Sequence, residues 1–404
     1  GDLLNTVQKV GWGLGGLMLI EKFWKHSAIT AFFRQAPPPP ASEPPQLVSI
    51  IQPVLSGDPT MAACLEANLR LKCTSALEYV WVVDDDDDEG CRICQELDAR
   101  YPALDIHVVT VPPPPDGYNP KSFKLMEGRR VARGDVICVL DDDTMLPEDG
   151  LAVTLPYLDQ PGNGLAFGLP YYVNFANGWS SMVSTFVNSS SLLTYIPYTA
   201  LTQPFTINGM YYVMRSAVLD SMGGFGAIKH MFSDDFAIAQ LCRAHGYQLA
   251  QTPVCHGIST QVRDRAHYFN LLQRWFVFPR ESVLRYVSPR DRLLVYLFGI
   301  APTLFPLFLV LALLVRPSWS KLIYSLLYFG SSWAIIDELN KKYLRHAQPA
   351  HKAWLIPIML VIIPVQILCS FFLPQRANWR GNVVQVESGG GFRYIRRRRL
   401  LVKI

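Results

Sequence analysis

Short apolar runs alternate with helix-like stretches through the middle of the chain. Residues 47–53 (LVSIIQP) read as a buried strand, 60–70 as a helix and 78–83 (EYVWVV) as a second strand. Residues 106–111 (IHVVTV) continue the series, 122–133 form a helical segment, and 136–140 (VICVL) give a further strand. Strand, helix, strand alternation predicts a mostly parallel sheet with crossover helices. Two of these strands run straight into acid: 78–83 into DDDDDE, and 136–140 into DDD. In open parallel sheets the ligand crevice lies beyond the carboxyl ends of the strands, so two strands ending on aspartates mark that edge as a candidate site.

The last third has a different pattern. Residues 293–315 and 353–373 are apolar and uncharged over lengths that can cross a hydrocarbon core, and 322–336 is a shorter run of the same kind. Near the start, residues 10–33 are apolar but carry Glu21, Lys22, Lys25 and His26, which fits a membrane anchor or an interfacial helix better than a removed signal peptide. Pro302 and Pro306 either bend the span that contains them or are tolerated kinks. The expected order is an anchor (1–35), a stiff proline-rich linker (36–46, with APPPPASEPP), a catalytic domain (47–262), an interfacial segment (263–292), membrane or re-entrant helices (293–375) and a basic tail (376–404).

Composition agrees: half of the 404 residues are hydrophobic, and mean hydropathy is +0.16. Of eight cysteines only Cys91 and Cys94 have CxxC spacing, a weak zinc signal without a second pair, so reduced thiols are the default. Asn188-Ser189-Ser190 matches a glycosylation triplet that arises often by chance.

The acidic clusters carry the candidate chemistry. Asp141 and Asp143, in DxD spacing, point to one side if the strand geometry persists, and hard carboxylate oxygens suit Mg²⁺ or Mn²⁺ bridging to nucleotide phosphates. In Ser233-Asp234-Asp235-Phe236 one carboxylate reads as a helix cap and another as a base for a hydroxyl. The segment 263–290 mixes Tyr268, Phe269, Trp275, Phe276, Phe278 and Tyr286 with basic residues including Arg280 and Arg285, the composition of an element lying on a membrane. The run of like charge at 84–88 is the cluster most easily explained as a hydrated turn.

In order, VVDDDDD, LDDDT, FGLPYY, INGMYYVMR, GGFG, SDDF and QRW resemble the membrane-bound family 2 type of glycosyltransferases. More narrowly, CLEANLR, NPKSFKLMEG, GLPYY, NGMYYVMR and NWRG with Tyr394 resemble the ceramide glucosyltransferases over nearly the whole chain. The resemblance implies an α/β GT-A catalytic domain, Rossmann-like with a mixed, mostly parallel sheet, beside an α-helical transmembrane domain. It implies that Asp84 or Asp85 contacts the nucleoside of a UDP-sugar, that Asp141 and Asp143 form the metal site with Asp143 the direct ligand, and that Asp235 is the general base. Arg274 and Trp275 would close the family's (Q/R)xxRW motif, whose first position is here Leu271, leaving the polar role of that position in doubt. Lys121, Asp142, Gln273, Trp379, Arg380 and Tyr394 complete the implied donor site.

The implied reaction moves a hexose, glucose first, from UDP to the primary hydroxyl of a membrane lipid, ceramide first, with inversion to a β-glycoside. Diacylglycerol, a hopanoid or a polyprenyl phosphate are alternative acceptors. A processive polysaccharide synthase and an acidic, metal-binding membrane scaffold are the competing classes. No nucleic-acid partner is expected; the arginines at 396–399 read as an anionic-lipid contact. The expected location is a membrane, bacterial inner or Golgi, with the catalytic domain cytoplasmic. If the anchor and all three carboxy-terminal runs cross, the tail ends opposite that domain, against the positive-inside rule. The preferred resolution is a cytoplasmic tail near the active site, one run being re-entrant or interfacial.

Overall fold

The computed structural model describes residues 2–40, 43–278, 284–344 and 348–398. Arg280 and Arg399, and the side chains of Phe278 and Arg285, lie outside the described residues. The chain forms two compact units, each assembled from three segments. One comprises Ala36–Ser180, Gln203–Tyr286 and Pro374–Ile404; the other comprises Gly1–Gln35, Ser181–Thr202 and Val287–Leu373. Residues 181–202 therefore group away from the catalytic segment in which the sequence reading places them, and the tail groups with it.

The first unit is built on an eight-stranded sheet. Its strands are β1 (Leu47–Val54), β2 (Ala76–Asp84), β3 (Asp105–Val111), β4 (Val136–Leu140), β5 (Thr144–Met145), β6 (Asn163–Tyr172), β7 (Tyr211–Arg215) and β8 (Gln248–Ile258). The order is β3-β2-β1-β4-β7-β6-β8-β5. β1 pairs in parallel with both β2 and β4, whereas β7 runs antiparallel to its neighbours β4 and β6. The sheet is mixed and mostly parallel. Apolar runs such as EYVWVV belong to strands covered on both faces. Tyr79, Trp81 and Val83 pack into one layer, Val80 and Val82 into the other.

The order of strand addition reverses at β1: β2 and β3 are laid down on one flank and β4 on the other, all parallel to it. That switch point opens a crevice at the carboxyl ends of the strands. Asp84 is the last residue of β2, and the triple aspartate begins one residue after β4. The helices Pro120–Val131 and Asp234–Ala244 bring their first turns to the same edge.

The tail is folded. β9 (Arg376–Trp379), β10 (Asn382–Val386) and β11 (Phe392–Arg396) form an antiparallel sheet. Trp379 pairs with Asn382, so Arg380-Gly381 is a two-residue turn, and both residues have positive φ, 45° and 88°. Positive φ at both central positions is the type I′ pattern that matches hairpin twist; glycine supplies it freely and arginine does not. Ala377, Val384, Val386 and Phe392 bury themselves against Phe232, immediately before the SDD motif.

The second unit is helical. Two of its helices, Pro289–Val315 and Ala350–Ser370, are long and apolar enough to cross a membrane. The helix Trp319–Tyr343 lies between them, and the amino-terminal helix spans Asp2–Arg34. The charges that interrupt the amino-terminal apolar pattern face inward: Lys22 donates to Ser332 at 2.5 Å, Lys25 to the Phe298 carbonyl at 2.5 Å, and His26 lies 3.2 Å from Glu338. Val10, Leu17, Ile20 and Phe23 are exposed on the outside. Lys25 also explains how Pro302 is tolerated. Proline has no N–H to offer the carbonyl four residues back, which is Phe298; the ammonium takes that place, and the helix passes through a π turn at Tyr296–Ile300.

Candidate active site

The run of five aspartates separates into different roles. Asp84 is buried, 3.0 Å from Lys124 and 3.2 Å from Arg398. Asp85 is exposed, whereas Asp84 is the one held by buried and tail cations. Asp86 pairs with Arg398 at 3.0 Å. Asp87 is buried as the N-cap of the following helix, accepting from Gly90 and Ser56 N–H groups. Reading the run's later members as a hydrated turn is thus corrected for Asp86 and Asp87: one is ion-paired and the other is a cap.

The chain turns after Leu140, so strand alternation does not place the next three carboxylates. Lys121 holds Asp141 at 2.7 Å. Asp142, almost fully buried, accepts both Arg380 Nη atoms, at 2.8 and 3.0 Å, and the Leu55 N–H at 2.9 Å. The guanidinium and these bonds outweigh burial and hold Asp142 below the usual carboxylate range. Asp143 accepts from Thr260 at 2.6 Å and Thr144 at 3.2 Å. Burial raises Asp141 to about 7 against the pull of Lys121, and burial with Asp142 also raises Asp143.

Lys121 is the hub. Its Nζ also reaches Asp234 at 3.2 Å and donates to the Gly209 carbonyl at 2.8 Å. The carboxylates hold its pKa above the usual lysine value despite burial. Asp234 is thereby committed to a lysine. Asp235 is half-buried, and its hydrogen bonds, from Ser233 Oγ and the Phe236 N–H, both fall on Oδ1. Burial, then the neighbouring Asp234, push its pKa up. A Cβ on Gly209 would lie 2.7 Å from that of Asp235, so the NG of INGMYYVMR leaves room for this carboxylate.

Arg274 feels Asp143 and Asp141, and burial lowers its pKa. Trp275 meets Tyr172 edge to face at 6.0 Å. The neighbouring residues have structural partners. Gln273 donates to the Pro374 carbonyl at 3.0 Å, tying its helix to the start of the tail, and Leu271 is a core residue. Tyr268, expected on an interfacial face, is fully buried against Trp179. Trp379 packs on Phe232, and Tyr394 donates to the Tyr118 carbonyl at 2.7 Å. These residues seat the tail, while Arg380 is the tail residue on a site carboxylate that the sequence identified. Arg398 is the one it missed. The arginine run reads as a lipid contact, yet Arg397 pairs with Asp116 at 2.5 Å and Arg398 with Asp84 and Asp86. Lys124, inside NPKSFKLMEG, was also missed; its spacing of three from Lys121, one helical turn, is the signal that could have found it.

Among the described residues, seven aspartates (84, 86, 141, 142, 143, 234, 235) face five cations (Lys121, Lys124, Arg274, Arg380, Arg398). That excess of two formal negative charges, with Asp141 and Asp143 raised and not claimed by arginine, fits a divalent cation. A second acidic group, Glu78, Asp105 and His107, lies at the opposite ends of β2 and β3. There Arg133 lies 2.7 Å from Glu78 and 2.5 Å from Asp105, offsetting one of the two carboxylate charges.

The model of glycosyl transferase family 21 matches residues 17–392. The chain belongs to glycosyl transferase family 21. Among curated proteins, a ceramide glucosyltransferase of Candida albicans is 32% identical over 106 residues. That match spans 24% of this family 21 chain and 20% of the relative's length. Among solved structures, a mannosyltransferase from Pyrobaculum calidifontis, in complex with GDP-Man and Mn²⁺, aligns over 89% of this chain and 98% of its own at TM-score 0.50. At 16% identity that likeness shows the fold alone, a GT-A-like glycosyltransferase architecture.

Proposed function

We propose that this family 21 glycosyltransferase is an inverting hexosyltransferase that moves glucose from UDP-glucose to the primary hydroxyl of a membrane lipid, ceramide first. The observation that carries the mechanism is the division of labour between Asp234 and Asp235. Lys121 takes Asp234, leaving Asp235 half-buried with an elevated pKa and its Oδ2 outside the bonds made by Oδ1. A carboxylate of raised basicity at the crevice suits a base that removes the proton of an attacking hydroxyl. The acceptor oxygen bonds to the anomeric carbon as the bond to UDP breaks on the opposite face, and the proton passes to Asp235. One displacement inverts the centre.

Arg274 and Arg380 supply positive charge for the departing diphosphate, and Asp84, between Lys124 and Arg398, marks the nucleoside end. Asp141 and Asp143 would hold Mn²⁺ or Mg²⁺, which when bound offsets diphosphate charge. The choice of ceramide rests on the sequence resemblance and on the partial match to a protein of that name.

A lipid acceptor calls for a membrane-bound enzyme, and the two long apolar helices support that location. The tail folds with the catalytic unit, so the segment between them would return to the side it left, with an even number of crossings and a cytoplasmic tail. The membrane is the bacterial inner membrane or the Golgi. Purified full-length protein offered radiolabelled UDP-glucose, UDP-galactose, UDP-N-acetylglucosamine and GDP-mannose, each with ceramide or diacylglycerol, tests the reading. The expected product is β-glucosylceramide. An α-linked product removes the single-displacement mechanism, and exclusive use of diacylglycerol removes the acceptor assignment.

A further inference from the structure

The helical unit encloses a partly open cavity of about 130 Å³, bounded by the amino-terminal helix and residues of the segments 186–194, 298–306, 328–336 and 359–364. Its wall is divided. Leu193, Ile335, Met359 and Ile363 give an apolar side, while Glu21, Lys22 and Lys25 bring ionisable groups together among apolar helices. Ionisable side chains in such surroundings are costly, and their usual reason is a ligand or a path.

The charges do not cancel. Lys25 is tied to Glu21 and to the Phe298 carbonyl, whereas Lys22 rests on a neutral hydroxyl, Ser332 Oγ, and lies 4.1 Å above the Tyr328 ring. One positive charge is left over. Ser189 lines the same cavity, is more than nine-tenths buried, and its Oγ has no hydrogen-bond partner. The other cavity serines and threonines with assigned bonds spend them on backbone: Ser190 on Phe186, Thr303 on Gly299 and Ser332 on Tyr328. A lone buried hydroxyl and an uncompensated ammonium lining one cavity are the donor set of a monoanionic oxyanion site.

We infer that this cavity binds the phosphodiester head of an anionic membrane phospholipid, with Lys22 and Ser189 donating to the phosphate and the apolar side taking the first carbons of the acyl chains. The site is separate from the crevice that holds Asp235, and it stands whether or not ceramide is the acceptor.

The test uses the full chain in nanodiscs containing phosphatidylglycerol, diacylglycerol and ceramide, extracted into detergent, with bound lipid counted by native mass spectrometry. Phosphatidylglycerol should be retained selectively. Lys22→Met should lower retention about tenfold or more, as expected for losing a charged hydrogen bond, while Lys22→Arg keeps it. Ser189→Val removes only an unpartnered hydroxyl and decides the matter if Lys22→Met does not fold. Unchanged phosphatidylglycerol retention in Ser189→Val and Lys22→Met overturns the proposal. Equal retention of ceramide, which has hydroxyls and an amide but no phosphate, overturns it too and reassigns the cavity to a neutral lipid.

Discussion

Arg380 grips Asp142 with both terminal nitrogens, at 2.8 and 3.0 Å, from a hairpin turn 238 residues away in sequence. Asp142 is 2% exposed, and its other neighbour on this contact is the Leu55 N–H. Removing the guanidinium leaves a buried carboxylate without its counter-charge, a loss of about 3–5 kcal/mol in a fully buried pair. The Arg380 side chain keeps 42% exposure, so water screens part of this. We expect Arg380→Ala to cost about 1–3 kcal/mol, and Arg380→Lys to recover only part because an ammonium cannot make the forked contact. Chemical denaturation of both variants measures it; full recovery by lysine would show that the fork is irrelevant.

Asp235→Asn should abolish transfer while donor binding, followed by titration calorimetry, survives. Gly209→Ala should act on the same carboxylate, because the new methyl would sit 2.7 Å from the Asp235 Cβ. Its kcat should fall with donor affinity little changed. Equal loss of donor binding in both variants would move Asp235 from the acceptor's side of the crevice to the donor's.

Gly381→Ala should loosen the tail sheet. The glycine sits at φ 88°, and a Cβ there would come within 3.0 Å of Arg398. Left-handed strain of about 1 kcal/mol or more would fall on the turn that aims Arg380. The signature is faster amide hydrogen exchange across Asn382–Val386, with the β1 to β4 core unchanged. Unaltered exchange in the tail would mean that the hairpin geometry does not depend on this glycine.

Metal affinity should depend on pH near neutrality. Burial holds Asp141 up at about 7 in the metal-free chain, and Asp143 is raised as well. A proton competes with a cation for these oxygens, so Mn²⁺ binding should strengthen as pH rises through about 7 and weaken below it. Isothermal titration of Mn²⁺ across that range reads the effect, and Asp141→Asn should flatten it.

Acid stability should carry the mark of His256. Its ring is fully buried, and burial lowers its pKa to about 3, while an unfolded histidine titrates near 6.5. Between these values the unfolded chain binds the extra proton, so stability is complete above about 6.5 and declines as pH falls, by at most about 1.4 kcal/mol per unit. His256→Gln should shallow that limb of a plot of unfolding free energy against pH; an unchanged slope would assign acid sensitivity to other groups.

The strands β1 to β4 were legible because a two-sided buried strand is an unbroken apolar run, and EYVWVV and VICVL have few other readings. β6 and β8 were not read as strands, since the glycines and prolines of GLAFGLPYY and QTPVCHGI break the same signal, and β7 is only five residues long. The acids at strand ends, the SDD pair and Arg274 were visible as motifs, and the ordered set placed the chain among glycosyltransferases. Sequence determines which residue types stand at which spacing, and so the chemistry on offer. Which carboxylate is free depends on partners far along the chain. Lys121 ties down Asp234, Arg380 ties down Asp142, and Arg398 reads Asp84 and Asp86 across more than 300 residues. An ion pair is set by distances of a few ångströms, and only the folded chain brings a tail arginine that close to a strand-end aspartate.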